Sequence, residues 1–351
     1  MGSEEPNEKL IVFRCDGTPE TGLGHVSRCL ALAEALRECG FVCRFFGRFG
    51  AGAADMLNGA DMDFDFSAGE TCGKKDLEST LQTIRKENTK GVVIDSYLVN
   101  ESYVETIDRQ GASVLVIDDF NRLERYECAA LLNFTVAASD LQYPAGKHLY
   151  LLGPEYLLVR QRMRLQRRMS KRRIGDVRRV LVAMGGVDTL NSTYQVANVF
   201  LRMGGDLSVH VIVGRDYAHH KELSLLVRHF SEGLIATQLI DLADEFAWAD
   251  LCICGGGLTK YESAYMGVPA AVLSQNVQQA EETIQFSAKG LAVDLGMTGE
   301  SSDAILSTRL TELMANRDFR VTLSQAGLAC FPEDSTRRAA EAFAGVINRE
   351  G

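Results

Sequence analysis

The chain reads as two doubly wound α/β domains, each a parallel sheet with helices on both faces. Three observations predict this. Short apolar runs alternate with amphipathic ones through the first half and again through the second, the rhythm of strands joined by crossover helices. Between the halves, from Arg160 to Arg179, stand ten Lys or Arg residues and almost no acids. In each half an apolar strand runs into glycines and then into a helix-patterned segment, the turn with which such sheets hold anions.

In the first half, strands are expected at residues 9–14, 42–46, 91–95, 113–118, 129–133 and 149–153, with helices at 26–38, 76–87 and 102–110. In the second half, strands are expected at 180–184, 208–213, 251–254 and 270–273. Helices follow at 191–203, 219–230, 258–266, 277–289, 302–315 and 335–348. The expected organisation is a first domain over 1–160, a basic linker over 161–177 and a second domain over 178–351. Such a pair places a ligand cleft between the carboxyl ends of two sheets. At 351 residues the chain suits two domains of roughly 100–200 residues each.

Composition narrows the class. Apolar residues make up 46% and charged residues 24%, as in a soluble globular protein with a large core. A net charge of −10 argues against a broad nucleic-acid or anionic-lipid surface. The start, Met1-Gly2-Ser3-Glu4-Glu5-Pro6, is acidic and unlike a signal peptide. No apolar run approaches the roughly 18 residues of a membrane span, so the expectation is a cytoplasmic protein without stable membrane insertion. The nine scattered cysteines read as reduced, mostly structural thiols. Cys252-Ile253-Cys254 has no second pair and reads as core.

The chemistry-bearing residues lie at the strand ends. Thr21-Gly22-Leu23-Gly24-His25-Val26-Ser27-Arg28 joins an apolar strand to a helix. Its glycines let backbone amides approach a ligand, and the helix start carries partial positive charge. An imidazole there is an acid/base candidate; its plain alternative is a helix cap. Arg28, one turn on, either holds an anion or faces solvent. Asp16, Asp95 and Asp118-Asp119 also fall at strand ends. Such acids bind Mg²⁺, cap the next element or orient a base; no His or further acid stands at ligand spacing, so no metal is expected. Tyr97 either donates to a sugar hydroxyl or phosphate, or packs on the domain edge.

The second glycine turn is Gly255-Gly256-Gly257-Leu258-Thr259-Lys260-Tyr261-Glu262. Three glycines expose amides to a diphosphate, the Thr259 hydroxyl adds a donor, and Glu262 suits a ribose diol. The spacing is not that of a P-loop. Lys260 reads equally as a phosphate contact or a solvated helix lysine. A third turn, Met184-Gly185-Gly186-Val187-Asp188, adds amides to the same anion or is capped by Asp188 or Asn191. Of the remaining histidines, His219-His220 reads as an exposed helix start, and His148, His210 and His229 lack companions. A dinucleotide oxidoreductase is rejected, because Ser27 and Arg28 stand where the third fingerprint glycine belongs and no acid closes the second strand.

With both glycine segments in view, the chain resembles the UDP-diacetamido-trideoxy-altropyranose hydrolases of pseudaminic acid synthesis and the related spore-coat polysaccharide proteins. Supporting stretches are Arg14-Cys15-Asp16, Val93-Ile94-Asp95-Ser96-Tyr97, Val116-Ile117-Asp118-Asp119, Leu131-Leu132-Asn133, Gly153-Pro154-Glu155-Tyr156 and Gly267-Val268-Pro269. The likeness runs from about Leu10 to Phe286. It implies a GT-B fold, shared with the N-acetylglucosaminyltransferase of peptidoglycan synthesis.

The resemblance further implies that His25 positions or deprotonates water, with Asp95 and Tyr97 beside the sugar. Gly256, Gly257, Leu258 and Thr259 would meet the diphosphate, Glu262 the ribose, and the backbone near Val213-Gly214 the uracil. Asp16, Gly22, Gly24, Arg28, Gly185, Gly186 and Gly214 complete the expected substrate contacts. One stretch departs from the family. Where the hydrolases carry Asn-Gln, this chain reads Ser274-Gln275-Asn276-Val277-Gln278-Gln279. Gln278 and Gln279 align without a gap, while Asn276 needs a shift, so the sugar stays unassigned.

The implied activity is inverting, metal- and cofactor-free hydrolysis of a UDP-sugar, with UDP-sugar as the small-molecule partner, no nucleic acid and an open oligomeric state. A transferase on the same fold is the alternative, its basic segment with Leu165 and Met169 touching an acceptor or membrane rather than forming a solvated inter-domain helix or linker. A catalytically silent nucleotide-sugar sensor is the third reading.

Overall fold

The structure, a computed structural model, describes residues 9–86, 89–169, 174–186, 188–215, 217–237 and 241–350. Residues 170–173 of the basic segment, Val187 of the third turn, Glu87 of an expected helix and the acidic start lie outside this range. The chain divides into two compact units, 1–161 with 334–351, and 162–333.

Unit 1 opens with β1 (Leu10–Cys15), α1 (Gly24–Glu38), β2 (Val42–Gly47), α2 (Ala51–Gly59), β3 (Asp63–Phe66) and α3 (Lys74–Lys86). It continues with β4 (Gly91–Asp95), α4 (Glu101–Asp108), β5 (Ser113–Ile117), β6 (Ala130–Asn133) and β7 (Leu149–Leu152). These strands form one seven-stranded sheet in the order β3-β2-β1-β4-β5-β6-β7, with every pairing parallel. The central strands β1, β4 and β5 are buried along their whole length. Covered on both faces, they read as continuous apolar runs rather than alternating ones. The chain winds outward from β1 to β3 and then returns to place β4 on the other side of β1. The carboxyl ends of β1 and β4 therefore flank the point where ligands of such sheets bind.

Unit 2 begins with α5 (Gln161–Met169), β8 (Arg179–Ala183), α6 (Ser192–Met203), β9 (Ser208–Val213), α7 (His220–Val227), β10 (Glu232–Thr237) and α8 (Ala243–Trp248). It closes with β11 (Leu251–Cys254), α9 (Leu258–Tyr265), β12 (Ala270–Ser274), α10 (Val277–Ala288), β13 (Val293–Met297), α11 (Asp303–Ala315) and α12 (Arg317–Cys330). Its six parallel strands lie in the order β10-β9-β8-β11-β12-β13, with the same switch between β8 and β11. The two doubly wound parallel sheets expected from the sequence are both present.

Two expectations about organisation change. The last helix, α13 (Ser335–Glu350), was assigned to the second domain over 178–351 but belongs to unit 1. It packs on α1. A Cβ on Gly91 of β4 would fall 2.8 Å from Ile347 Cδ1, so β4 and α13 meet at van der Waals contact. Thr336 Oγ1 accepts from the Val159 amide at 2.9 Å and donates to the Leu157 carbonyl at 3.0 Å. An amphipathic pattern announces an apolar face; it does not say whose core that face covers.

The basic segment is the second change. Its described helical part is α5, and that helix is only partly solvated. Met163 and Arg164 are buried, and Arg167 donates to the Phe331 and Leu328 carbonyls at 2.7 and 3.0 Å. The Arg167 guanidinium lies 4.3 Å over the Tyr265 ring. Leu165 and Met169 remain exposed. Among the described residues, no helix is long and apolar enough to cross a membrane.

The edge strands β3, β10 and β13 were not expected from the sequence. β3 is Asp-Phe-Asp-Phe, too short for its alternation to stand out, and β10 is mostly exposed.

Candidate active site

In unit 1 the chain leaves β1 through Asp16 and Gly17. A Cβ on Gly17 would sit 2.6 Å from Ala53 Cβ and 2.7 Å from Val26 Cγ2, so only glycine fits there. The turn then closes with the Gly22 amide donating to the Thr18 carbonyl at 2.8 Å. Gly22 has φ +72°, the left-handed region that glycine enters without steric cost. Helix α1 starts at Gly24, with no side-chain cap and no acid in its first turn. A Cβ on Gly24 would meet nothing within 4 Å, so the first amides of α1 are left approachable.

His25 and Arg28, one helical turn apart, both turn toward Asp95 at the end of β4. The Asp95 carboxylate is fully buried. Its Oδ1 lies 2.7 Å from His25 Nδ1, and Arg28 donates to Oδ1 and Oδ2, each at 2.6 Å. Burial pushes the Asp95 carboxyl up, but Arg28 and then His25 outweigh it and hold the group well below the usual carboxylate range. An ionised Asp95 accepts, so Nδ1 of His25 carries the proton and Nε2 is the free lone pair of the neutral ring. Nε2 has no hydrogen-bond partner among the described residues.

Arg28 also donates to Asp119 Oδ2 at 2.5 Å, and the Tyr97 hydroxyl donates to the same oxygen at 2.6 Å. The His25 and Tyr97 rings meet edge to face with centroids 4.6 Å apart. The Arg28 guanidinium lies 5.8 Å over the Phe134 ring. Burial pushes the Arg28 guanidinium toward losing its proton, but Asp119 and Asp95 more than offset this and raise it. Burial, then Asp119, raises the Tyr97 phenol well above its ordinary value. Tyr97 therefore keeps its proton, and that proton is spent on Asp119. Of the two roles read for Tyr97, donation to a ligand would require giving up this bond.

Two carboxylates thus share one guanidinium, and a proton taken by His25 completes the charge balance. The arrangement suits an imidazole that removes a proton and holds it, with Asp95 orienting the ring rather than reacting.

The acids at the strand ends divide by role. Asp118 accepts from the Phe120 and Arg122 amides, both at 2.9 Å, and from Tyr126, so it braces its own loop. Asp16 accepts from Arg14 and from the Arg48 amide, both at 2.8 Å. Arg14, fully buried on β1, also binds Asp76 of α3 through both carboxylate oxygens at 2.9 Å. Asp16 therefore sits in a buried ionic network tying β1, β2 and α3 together. Sequence reasoning marked Arg14 only as part of a family-like stretch and gave Asp76 no role, because a charged residue carries no local signal about its partner. It grouped Asp119 with Asp118 without giving it a task.

In unit 2 the expected contacts gather at the carboxyl ends of neighbouring strands. A Cβ on Gly255 would lie 2.6 Å from the Met184 carbonyl, and one on Gly256 would lie 2.7 Å from Gln279 Cβ. Gly257 is exposed, and a Cβ there would meet nothing. Leu258 and Thr259 follow half-buried, and Glu262 is buried within the next turn. Gly214 ends β9 so close to the Gly186 carbonyl that a Cβ would fall 2.0 Å from it. Gly185 and Gly186 are exposed, with Gly185 at φ +106°.

Three helices start at these strand ends, and they differ. Asp188 accepts from the Ser192 and Thr193 amides at 2.8 and 2.7 Å, so a carboxylate already occupies the start of α6. Asn276 caps α10 by accepting from the Gln279 amide at 2.9 Å. Gln279 accepts from the Gln275 amide at 2.9 Å, and Gln275 donates to the Met184 carbonyl at 2.8 Å. Gln278 is exposed. Only α9 starts with no side-chain cap and no acid in its first turn, leaving its amides for an anion. Lys260 is neither solvated nor exposed to a ligand: its side chain is fully buried, against both alternatives read from the sequence. Among the described residues no three metal-ligating side chains come together.

No family model matches the chain. Over 285 residues it is 26% identical to an uncharacterized protein of Methanocaldococcus jannaschii, covering 77% of this chain and 57% of that protein. It is 23% identical to the spore coat polysaccharide biosynthesis protein SpsG of Bacillus subtilis, covering 89% of this chain and 91% of the relative. It is also 23% identical to the UDP-2,4-diacetamido-2,4,6-trideoxy-beta-L-altropyranose hydrolase of Campylobacter jejuni, covering 54% and 64% respectively. Among solved structures, the UDP complex of MnaA from S. aureus superposes with TM-score 0.67 at 12% identity, covering 97% of both chains. The spinosyn forosaminyltransferase SpnP gives 0.66 at 13% identity, covering 97% and 99%. The chain is a GT-B-fold relative of the spore-coat and hydrolase proteins. The likeness read from the glycine turns is thereby borne out. The GT-B chain spans little more than half of the archaeal relative and just under two thirds of the hydrolase.

Proposed function

We propose that the chain hydrolyses a UDP-linked amino-deoxy sugar of the diacetamido-trideoxy class, releasing UDP and the free sugar. The observation that carries this reading is the buried Asp95–His25 pair, which leaves one imidazole nitrogen as a base at the strand-switch point of unit 1. Water attacks the anomeric carbon with inversion, its proton passes to His25 Nε2, and the bond from that carbon to the diphosphate oxygen breaks. Negative charge then grows on the leaving diphosphate. The uncapped amides from Gly257 into α9 are the groups in unit 2 suited to stabilise it, an effect of several kcal/mol by analogy with oxyanion sites. The hydrolase name of the Campylobacter relative supports water as the acceptor.

Incubation with UDP-acetamido sugars and no acceptor, read by mass spectrometry, tests this directly. UDP and free sugar should appear. If the sugar nucleotide persists until an acceptor is added, the transferase reading replaces it, as the likeness to a forosaminyltransferase favours. Glu262, buried one turn into α9, is assigned to the ribose. Glu262→Ala should weaken UDP about tenfold or more, as expected for lost hydrogen bonds to a charged group. Calorimetric titration checks this, and unchanged affinity removes Glu262 from the nucleotide site.

A further inference from the structure

We infer that Lys260 is a positioning residue that sets the anion-binding face of the triple-glycine turn by holding a peptide, not by touching the ligand. This rests on the nucleotide reading of unit 2.

Lys260 lies in the first turn of α9 with its side chain fully out of water. Its ammonium donates to the Gly256 carbonyl at 2.5 Å and to Glu282 Oε2 at 2.9 Å. The Tyr261 hydroxyl donates to the other Glu282 oxygen. The ammonium also sits 5.4 Å from the Tyr261 ring centroid and 5.7 Å from that of Phe286. An ammonium withdrawn from water is costly unless it is paired and hydrogen-bonded. Here a carboxylate, a carbonyl and two ring faces meet it, so its position is closely determined.

The consequence follows from peptide geometry. A planar trans peptide points its C=O and the following N–H in opposite directions. With the Gly256 carbonyl drawn to the buried ammonium, the Gly257 N–H points away from it. Gly257 is exposed there, a Cβ would meet nothing, and its N–H has no partner among the described residues. This amide joins the free amides at the start of α9. A peptide between two glycines has little intrinsic preference against turning over. Turned over, it would show a carbonyl to the diphosphate. Lys260 and Glu282 prevent that.

The test compares UDP with uridine by calorimetric titration of the full chain. Lys260→Met keeps the stem and removes the ammonium. It should weaken UDP about ten- to a hundredfold, the range of a hydrogen bond to a charged group, and leave uridine unchanged. Glu282→Gln keeps the folded turn while loosening the brace, so it serves if the methionine variant does not fold. It should show a smaller loss confined to UDP. The ³¹P resonances of bound UDP should shift in both variants. Equal losses for UDP and uridine, or unchanged UDP affinity, overturn the inference alone. A wild-type chain that binds no UDP overturns it together with the nucleotide reading.

Discussion

His25→Ala is expected to leave UDP affinity unchanged while hydrolysis of the sugar nucleotide falls about 10²–10⁴-fold, the usual share of a general base. The fold should survive. Asp95 keeps both bonds from Arg28, and what is lost with the ring is its one hydrogen bond to Asp95 and an edge contact to Tyr97. Affinity should hold because the diphosphate is assigned to amides of unit 2, remote in sequence from His25. Rates of UDP release measured beside titration with UDP separate the two effects. Turnover like that of the wild type would refute the base assignment. Parallel loss of both would instead make His25 a binding residue.

Asp95 carries the largest expected effect on stability. Asp95→Ala leaves the buried Arg28 with Asp119 as its remaining ionic partner among the described residues. Breaking a buried pair from one side costs about 3–5 kcal/mol, so the urea midpoint should drop sharply. Asp95→Asn keeps the volume but removes the charge that fixes the ring tautomer. By analogy with Ser-His-Asp triads, where the same change costs about 10⁴ in turnover, activity should collapse while the chain still folds. An asparagine variant with full turnover would remove Asp95 from the mechanism.

The pH dependence has a definite sign. The Asp95 carboxyl is held below its ordinary value, chiefly by Arg28 and His25 against the opposing effect of burial. Its contribution to stability is therefore complete above the unfolded value of about 3.9. It is lost as pH falls below that value toward the folded one. Urea unfolding between pH 7 and pH 3 should show wild-type stability declining below about pH 4, and the asparagine variant should decline less over that window.

Much of the local structure was legible before any coordinates. The glycine turns at 22–24 and 255–257 announced strand ends and helix starts, because close backbone approach and an uncapped helix start impose residue types locally. The continuous apolar runs of β1, β4, β8 and β11 announced buried parallel strands for the same reason. His25 and Asp95 were both marked from their places at strand ends, yet nothing in the sequence joined them. They stand 70 residues apart, and their contact depends on β4 pairing beside β1.

By itself, then, the sequence determined two doubly wound sheets, their glycine turns and the residue types offered at the strand ends. Periodicity and turn chemistry act over a few residues, and those features need no more. Tertiary structure alone decided who meets whom. It matched Arg28 to two carboxylates, gave α13 to unit 1 and buried Lys260 beneath a peptide. Each outcome depends on which distant segment arrives across the fold, and an amphipathic or charged residue carries no local mark of that partner.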